Sequence, residues 1–206
     1  MKRLFINALC IISLAAGALA GSPMAEIKTT TDKLLTSLND PKVQGDDKKA
    51  QRVGLVQRAM DPRFAWEESA RACLGRHWAK LNPGQKSEFI KLFSQFLEET
   101  YAQKIATYYG ELDHIAYQGE KIIQDSGTDF AQVKIQLTTK SSVDHPVEYR
   151  MQKNASGDWK VYDVVIEGVS LVKNYRDQFD AIIAKSGYDG LLQEIKSKKP
   201  ASPALR

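Results

Sequence analysis

The chain has 206 residues, 43% of them hydrophobic and 26% charged. That length allows one domain with a sizeable buried core. The formal net charge of +4, from 29 basic and 25 acidic residues, is too small to argue for nucleic-acid binding.

The amino terminus reads as an export signal over residues 1–20. Lys2 and Arg3 form the charged start, Leu4 to Leu19 a mainly apolar run, and Ala18-Leu19-Ala20 a cleavage site, so the cut falls after Ala20. An uncleaved anchor is the competing reading, but the run is short for a membrane span. Cys10 lies inside the run, not at its end, which argues against a lipoprotein anchor. With the leader removed, Cys73 is the sole cysteine, so the exported domain holds no internal disulfide although its compartment would permit one. Cys73 is read as a small buried hydrophobe. The remaining chain divides into one domain over 21–199 and a disordered tail over 200–206.

Gly21 to Ala25 reads as a flexible start. From Glu26 to Leu38, Ile27, Leu34, Leu35 and Leu38 fit one helical face, and Asn39-Asp40-Pro41 ends it. Asp46 and Asp47 open a second helix with Val53, Val56 and Met60 on its apolar face. Asp61 as cap and Pro62 at the first position predict a third helix carrying Phe64, Trp66, Cys73 and Leu74, ended by Gly75. Arg76-His77-Trp78 follows as a short turn. Asn82-Pro83-Gly84-Gln85 is the strongest start signal in the chain, with Gln85 placed to complete a capping box. The helix it opens runs to about Tyr108, nearly 40 Å at the standard rise, with an aromatic stripe from Phe89 to Tyr108.

After Gly110 the pattern period changes to two. Leu112 to Tyr117, Lys121 to Gln124 and Asp129 to Thr139 read as strands. Val147, Tyr149 and Met151 alternate with Glu148, Arg150 and Gln152, and a turn at Asn154 to Gly157 leads into a strand from Trp159 to Ile166. Gly168 supplies the freedom for a sharp change of direction. Ser170 then caps a helix whose greasy face is Leu171, Tyr175, Phe179 and Ile182. A last short helix covers Tyr188 to Lys198. Helices, then an antiparallel meander of about four to five strands, then helices again argue an α+β fold with the helices packed on one sheet face.

The sequence carries no catalytic constellation. His77, His114 and His145 lack the i, i+4 spacing of a helical zinc site, and there is no CxxC and no glycine-rich phosphate loop. Gly168-Val169-Ser170 begins like a nucleophile elbow but lacks its second glycine. Asp163 interrupts an apolar strand and needs a partner if buried, with Arg176 and Lys160 within reach in the sequence. No metal and no cofactor is expected.

Asp163 through Phe179, D-V-V-I-E-G-V-S-L-V-K-N-Y-R-D-Q-F, resembles the signature of the MlaC or toluene-tolerance family of periplasmic phospholipid-binding proteins. Leu74-Gly75-Arg76-His77-Trp78, Glu88-Phe89 with Leu92-Phe93, Thr100-Tyr101-Ala102, Val147-Glu148-Tyr149-Arg150 and Trp159-Lys160-Val161-Tyr162-Asp163 fit as well, in order, from Asp61 onward. The resemblance implies a curved antiparallel sheet and helices enclosing an apolar lipid pocket. It also implies a soluble periplasmic shuttle that moves phospholipid between an outer-membrane lipoprotein–porin complex and the MCE-domain subunit of an inner-membrane ABC transporter, maintaining outer-membrane lipid asymmetry. On that basis the lining is expected from Phe93, Phe96, Leu97, Tyr101 and Ile105 of the long helix, and from Val133, Ile135, Val147, Tyr149, Met151, Val164 and Ile166 of the sheet. Leu171 and Tyr175 would close one side. The rival readings are a small periplasmic hydrolase of α+β fold, a polar-solute ABC binding protein, for which the chain is short of two lobes, and a structural adaptor with a filled core.

Overall fold

The computed structural model describes residues 21–125 and 127–197. The leader read over 1–20 and the tail read over 200–206 lie outside the described residues.

Helix α1 spans Pro23–Leu38 and so begins inside the stretch expected to be a flexible start. The Ser22 side chain accepts from the Ala25 N–H at 3.2 Å and Pro23 fills the first position, a start signal that the leucine pattern further on masks. Its two ends serve different layers: Met24 and Ile27 pack on the sheet, whereas Leu34 and Leu38 pack against helices. Arg63 fastens the sheet end. It pairs with the Glu26 carboxylate, donates to the Thr30 hydroxyl at 3.1 Å, and donates to the Trp159 carbonyl at 3.0 Å.

One 3-10 turn at Asp46–Lys48 leads into α2, Lys49–Met60. From α2 the buried Arg52 donates to the carbonyls of Ala106, Val43 and Gly45 at 3.2, 2.8 and 2.7 Å. It thereby ties the loop after α1 to the far end of the long helix.

The third helix starts later than the Asp61-Pro62 signal indicates. Asp61–Arg63 make one 3-10 turn, and Phe64 is extended and bridges to Val161. The Ala65 N–H donates to the Val161 carbonyl at 2.8 Å, so α3 covers only Trp66–Leu74. Pairing with a strand nearly a hundred residues away outweighs the local start signal. Gly75, at φ 51°, ends α3 as expected.

Helix α4 spans Pro83–Tyr108, and the Asn82–Gln85 capping box is formed in both directions at 2.9 and 3.0 Å. The sheet is wholly antiparallel, with strands in sequential order: β1 Leu112–Asp125, β2 Thr128–Thr139, β3 Asp144–Lys153, β4 Trp159–Ile166 and β5 Val169–Ser170. The two segments expected on either side of Gln118 are one strand. A register shift between Tyr117 and Gly119 absorbs the break in periodicity. β5 is a two-residue strand not expected from the sequence. Glu167 and Gly168, at φ 51° and 81°, make the tight hairpin that returns it to β4.

Helix α5, Leu171–Ser197, is broken at Gly187, whose φ of 69° and ψ of −178° leave the helical region. The break falls just before the start expected for the last helix at Tyr188. Beyond it, Leu191, Leu192 and Ile195 return to the helical core.

That core is dominated by aromatic rings from α4 and α5. Phe89 and Phe93 stack at 5.6 Å, and Phe179 meets both edge-on at 6.0 Å. Tyr175 meets Phe96 edge-on at 5.7 Å. Edge-to-face pairs of this kind add about 1 kcal/mol each beyond the area they bury.

Two substitutions test this account. Asn82→Ala removes the cap of α4 and is expected to lower unfolding free energy by about 1 kcal/mol in urea titration. Arg52→Met keeps much of the side-chain volume but leaves the Ala106, Val43 and Gly45 carbonyls without their donor. It is expected to cost about 3 kcal/mol on the same measurement.

Candidate apolar binding site

Among the described residues the apolar side chains fall into separate clusters. The helical cluster joins α3, α4 and α5, and includes Phe93, Phe96, Leu97, Tyr101 and Tyr175. The sheet cluster includes Val133, Ile135, Val147, Met151 and Val164, with Tyr149 and Ile166 packed against it. Leu171, the first residue of α5, packs against both. A domain of this kind usually has one contiguous core; here a seam runs between the helical and the sheet clusters, and a smaller third cluster gathers around Leu38, Val56 and Ala102.

A crevice of about 20 Å³ lies in that seam. Phe93 and Leu97 of α4, Val164 of β4, and Leu171 and Tyr175 of α5 line it, together with Phe64, Ser69, Cys73, Tyr162, Asp163 and Val172. Phe96 and Tyr101 belong to the helical cluster and do not border the crevice. Val133, Ile135, Val147, Tyr149, Met151 and Ile166 form the sheet cluster away from the crevice itself. Ile105 stands apart from both clusters at 37% exposure, on the outward side of α4. Ser69 and Cys73, which the expected lining did not include, share one face of α3 at i, i+4 spacing; that periodicity is the signal that could have found them.

The seam is electrically quiet at neutral pH. Burial pushes the Tyr149 phenol up to about 12. Burial raises the Tyr175 phenol further still, with the Tyr101 ring and hydroxyl beside it. Burial likewise raises the Cys73 thiol well above its ordinary range, with the Asp163 charge adding to the effect. The thiol donates to the Val172 carbonyl across a sulfur–oxygen distance of 3.7 Å.

Asp163, at 4% exposure, is the exception in this apolar setting. Its partner is neither Arg176 nor Lys160, as expected from the sequence, but Arg150, which donates to Oδ2 at 3.1 Å. Arg150 lies directly opposite Asp163 in the β3–β4 register, next to a register shift. Arg176 instead donates to the Ala72 carbonyl at 2.6 Å and Lys160 to the Pro62 carbonyl at 2.8 Å. Oδ2 also accepts from the Ser170 hydroxyl at 2.6 Å, and Oδ1 accepts from the Val172 N–H at 3.0 Å. Ser170 does cap α5 as expected, accepting from the Lys173 N–H at 3.0 Å.

A larger and more open groove, about 530 Å³, lies on the outer side of the helical layer, bordered by Arg76, His77, Lys80, Leu81, Ile183, Ala184 and Tyr188. None of the expected lining residues faces it. Its charges are partly spent on one another. Asp180 accepts from Arg76 and contacts the His77 ring, both at 2.7 Å, and those two partners hold its carboxyl below the usual range.

Residues 28–197 match the family model described as MlaC protein. The chain is 26% identical over 179 residues to the intermembrane phospholipid transport system binding protein MlaC of Haemophilus influenzae, covering 85% of this chain and 81% of that protein. It is 25% identical over 190 residues to the toluene tolerance protein ttg2D of Pseudomonas putida, covering 89% and 86%. The fold is similar, with a TM-score of 0.72 and 27% identity over 85% of this chain and 96% of the other, to a phospholipid-binding protein from Ralstonia solanacearum solved in complex with a phospholipid. With an α+β fold of this topology and a family match over most of its length, the chain belongs to the MlaC family.

Proposed function

We propose that this protein is a soluble periplasmic phospholipid carrier, and that acyl chains enter the seam between the helical and sheet clusters. The observation that carries the reading is the seam itself: two apolar clusters, each with its own buried members, that meet at Leu171 and at the stacked rings of Phe64 and Trp66. The similarity to a fold solved with phospholipid bound supports the same reading. The curated relatives are named for binding, transport and tolerance and not for a catalysed reaction, in keeping with a carrier over a hydrolase.

The magnitudes suit a carrier. Each methylene withdrawn from water is worth about 0.8 kcal/mol, so two long acyl chains amount to roughly 20 kcal/mol, and unassisted transit through an aqueous compartment is negligible. Between a bilayer and an apolar seam most of that term cancels, which lets lipid load and unload at small net cost. A crevice of about 20 Å³ holds little more than one water-sized sphere, so admitting an acyl chain requires the two clusters to move apart. The lining is then Phe93, Leu97, Val164, Leu171 and Tyr175 first, with Phe96, Tyr101, Val133, Ile135, Val147, Tyr149, Met151 and Ile166 meeting the chains as the seam widens. The carrier exchanges lipid with an MCE-domain subunit of an inner-membrane ABC transporter and with an outer-membrane lipoprotein–porin complex, and so serves outer-membrane lipid asymmetry.

Organic extraction of natively purified protein followed by mass spectrometry is expected to yield phospholipid at near-stoichiometric amounts. Protein that is lipid-free and also takes none from vesicles defeats the carrier reading. Leu171→Glu places a charge at the half-buried meeting point of the two clusters. Lipid retention should fall at least tenfold while the urea midpoint moves little, and unchanged retention in the folded variant removes Leu171 from the lining.

A further inference from the structure

We infer that Asp163 is a positioning residue for the lipid seam: its carboxylate is the latch that holds the first turn of α5 against the sheet and so sets how readily the crevice opens. The inference rests on the carrier reading for its purpose but not for its geometry.

The first two turns of α5 are fastened from three sides. From β4, Asp163 accepts the Val172 N–H at 3.0 Å and the Ser170 hydroxyl at 2.6 Å. From β3, Arg150 braces the same carboxylate at 3.1 Å. From α3, the Cys73 thiol donates to the carbonyl of that same Val172, and the Ala72 carbonyl accepts from Arg176 at 2.6 Å. Val172 is therefore held by its N–H from the sheet and by its carbonyl from the helical layer. The residue before it, Leu171, is the side chain shared by both clusters.

Of these fastenings, the side-chain bonds to the sheet all run through Asp163, and they act beside the two-residue β4–β5 pairing that sets Ser170 opposite Val165. The rest of α5 packs with α3 and α4 in the helical cluster, through Tyr175, Phe179 and Leu191. When Asp163 lets go, what separates is the α5 side of the crevice from the β4 side, the parting that an acyl chain requires. The connecting hairpin suits such a displacement. Glu167 and Gly168 both have positive φ, β5 is only two residues long, and the space where Gly168 would carry a Cβ is open, with no atom within 4 Å. A buried carboxylate suits a latch because its hydrogen bonds are individually strong yet compensate a large desolvation cost, so the net hold is modest and responds to loss of any one partner.

Cys73 reports the opening directly, because it lines the crevice and is 1% exposed. N-ethylmaleimide labelling of the full chain, read by mass spectrometry on the peptide that carries Cys73, is compared across urea concentrations below the unfolding transition. In the wild type, labelling should be slow. In Asp163→Asn, which keeps shape but loses the charge, the rate without urea should rise at least tenfold. The added component should be insensitive to urea, because local parting exposes little surface while global unfolding exposes much. A merely structural role predicts instead a rise that matches the loss of unfolding free energy and steepens with urea; that pattern, or no rise, overturns the latch. Should Asp163→Asn fail to fold by circular dichroism, Ser170→Ala decides the matter. It removes one donor to Asp163 and is expected to give a several-fold, urea-insensitive rise, and its absence overturns the proposal equally. Lipid extraction from the wild type keeps the two readings apart. Lipid-free protein that also takes none from vesicles, with latch-dependent labelling, sinks the carrier alone, whereas lipid-loaded protein with unaltered labelling in the variants sinks the latch alone.

Discussion

One buried carboxylate determines how the helical half of this protein meets the sheet half. Asp163 sits on the last long strand, bends back to the helix that follows it, and satisfies an N–H of that helix together with a hydroxyl and a guanidinium. Burying a charge without partners costs several kcal/mol, so the surrounding geometry has to supply all three. That demand fixes where α5 begins, and with it the position of Leu171, Tyr175 and Phe179. The tight hairpin at Glu167 and Gly168 brings Ser170 back beside Val165, two residues on from Asp163 along β4.

Around that node the apolar side chains segregate. Rings from α4 and α5 interlock edge to face and form a core that is complete within the helical layer. The sheet completes its own core with Met24 and Ile27 of α1 and with Phe64. Because most members of each cluster pack within it, with Leu171 shared between the two, the interface between them is a thin seam. A single well-filled core would resist insertion, since parting it exposes apolar area at roughly 25 cal/mol per Å². A seam between two clusters, each with packing of its own, exposes less. Arg52 and Arg63 hold the outer framework by hydrogen bonds to backbone carbonyls, of which those of Ala106 and Trp159 are remote in sequence.

Much of this is legible in the residues themselves, where local rules act alone. The Asn82–Gln85 capping box, the length of α4, the strand from Trp159 to Ile166 and the Ser170 cap all depend on residues close to one another in the chain. The signals that mislead are those that distant partners overrule. Asp61-Pro62 is a sound helix start, yet Phe64 and Ala65 are captured by β4 and the helix waits until Trp66. Arg150 reads as an outward-facing member of an alternating strand, and only the β3–β4 register sets it against Asp163. Within the candidate site, helical periodicity marks Phe93, Leu97, Leu171 and Tyr175. The same periodicity places Ile105 on that face, where α4 instead turns it to the surface.

Residue type and spacing alone establish the α+β order of elements, the strand–glycine–helix corner at Val164 to Phe179, and the apolar character of the faces that meet. Such signals act over one or two turns of chain. Packing in three dimensions adds that the apolar faces close into separate cores instead of one, that Asp163 answers to Arg150 and to the start of α5, and that the crevice lies where α3, α4, α5 and β4 converge. The physical reason is register: which residues oppose one another across a sheet, or across two layers, depends on chain segments up to about a hundred residues apart, and no local pattern carries that information.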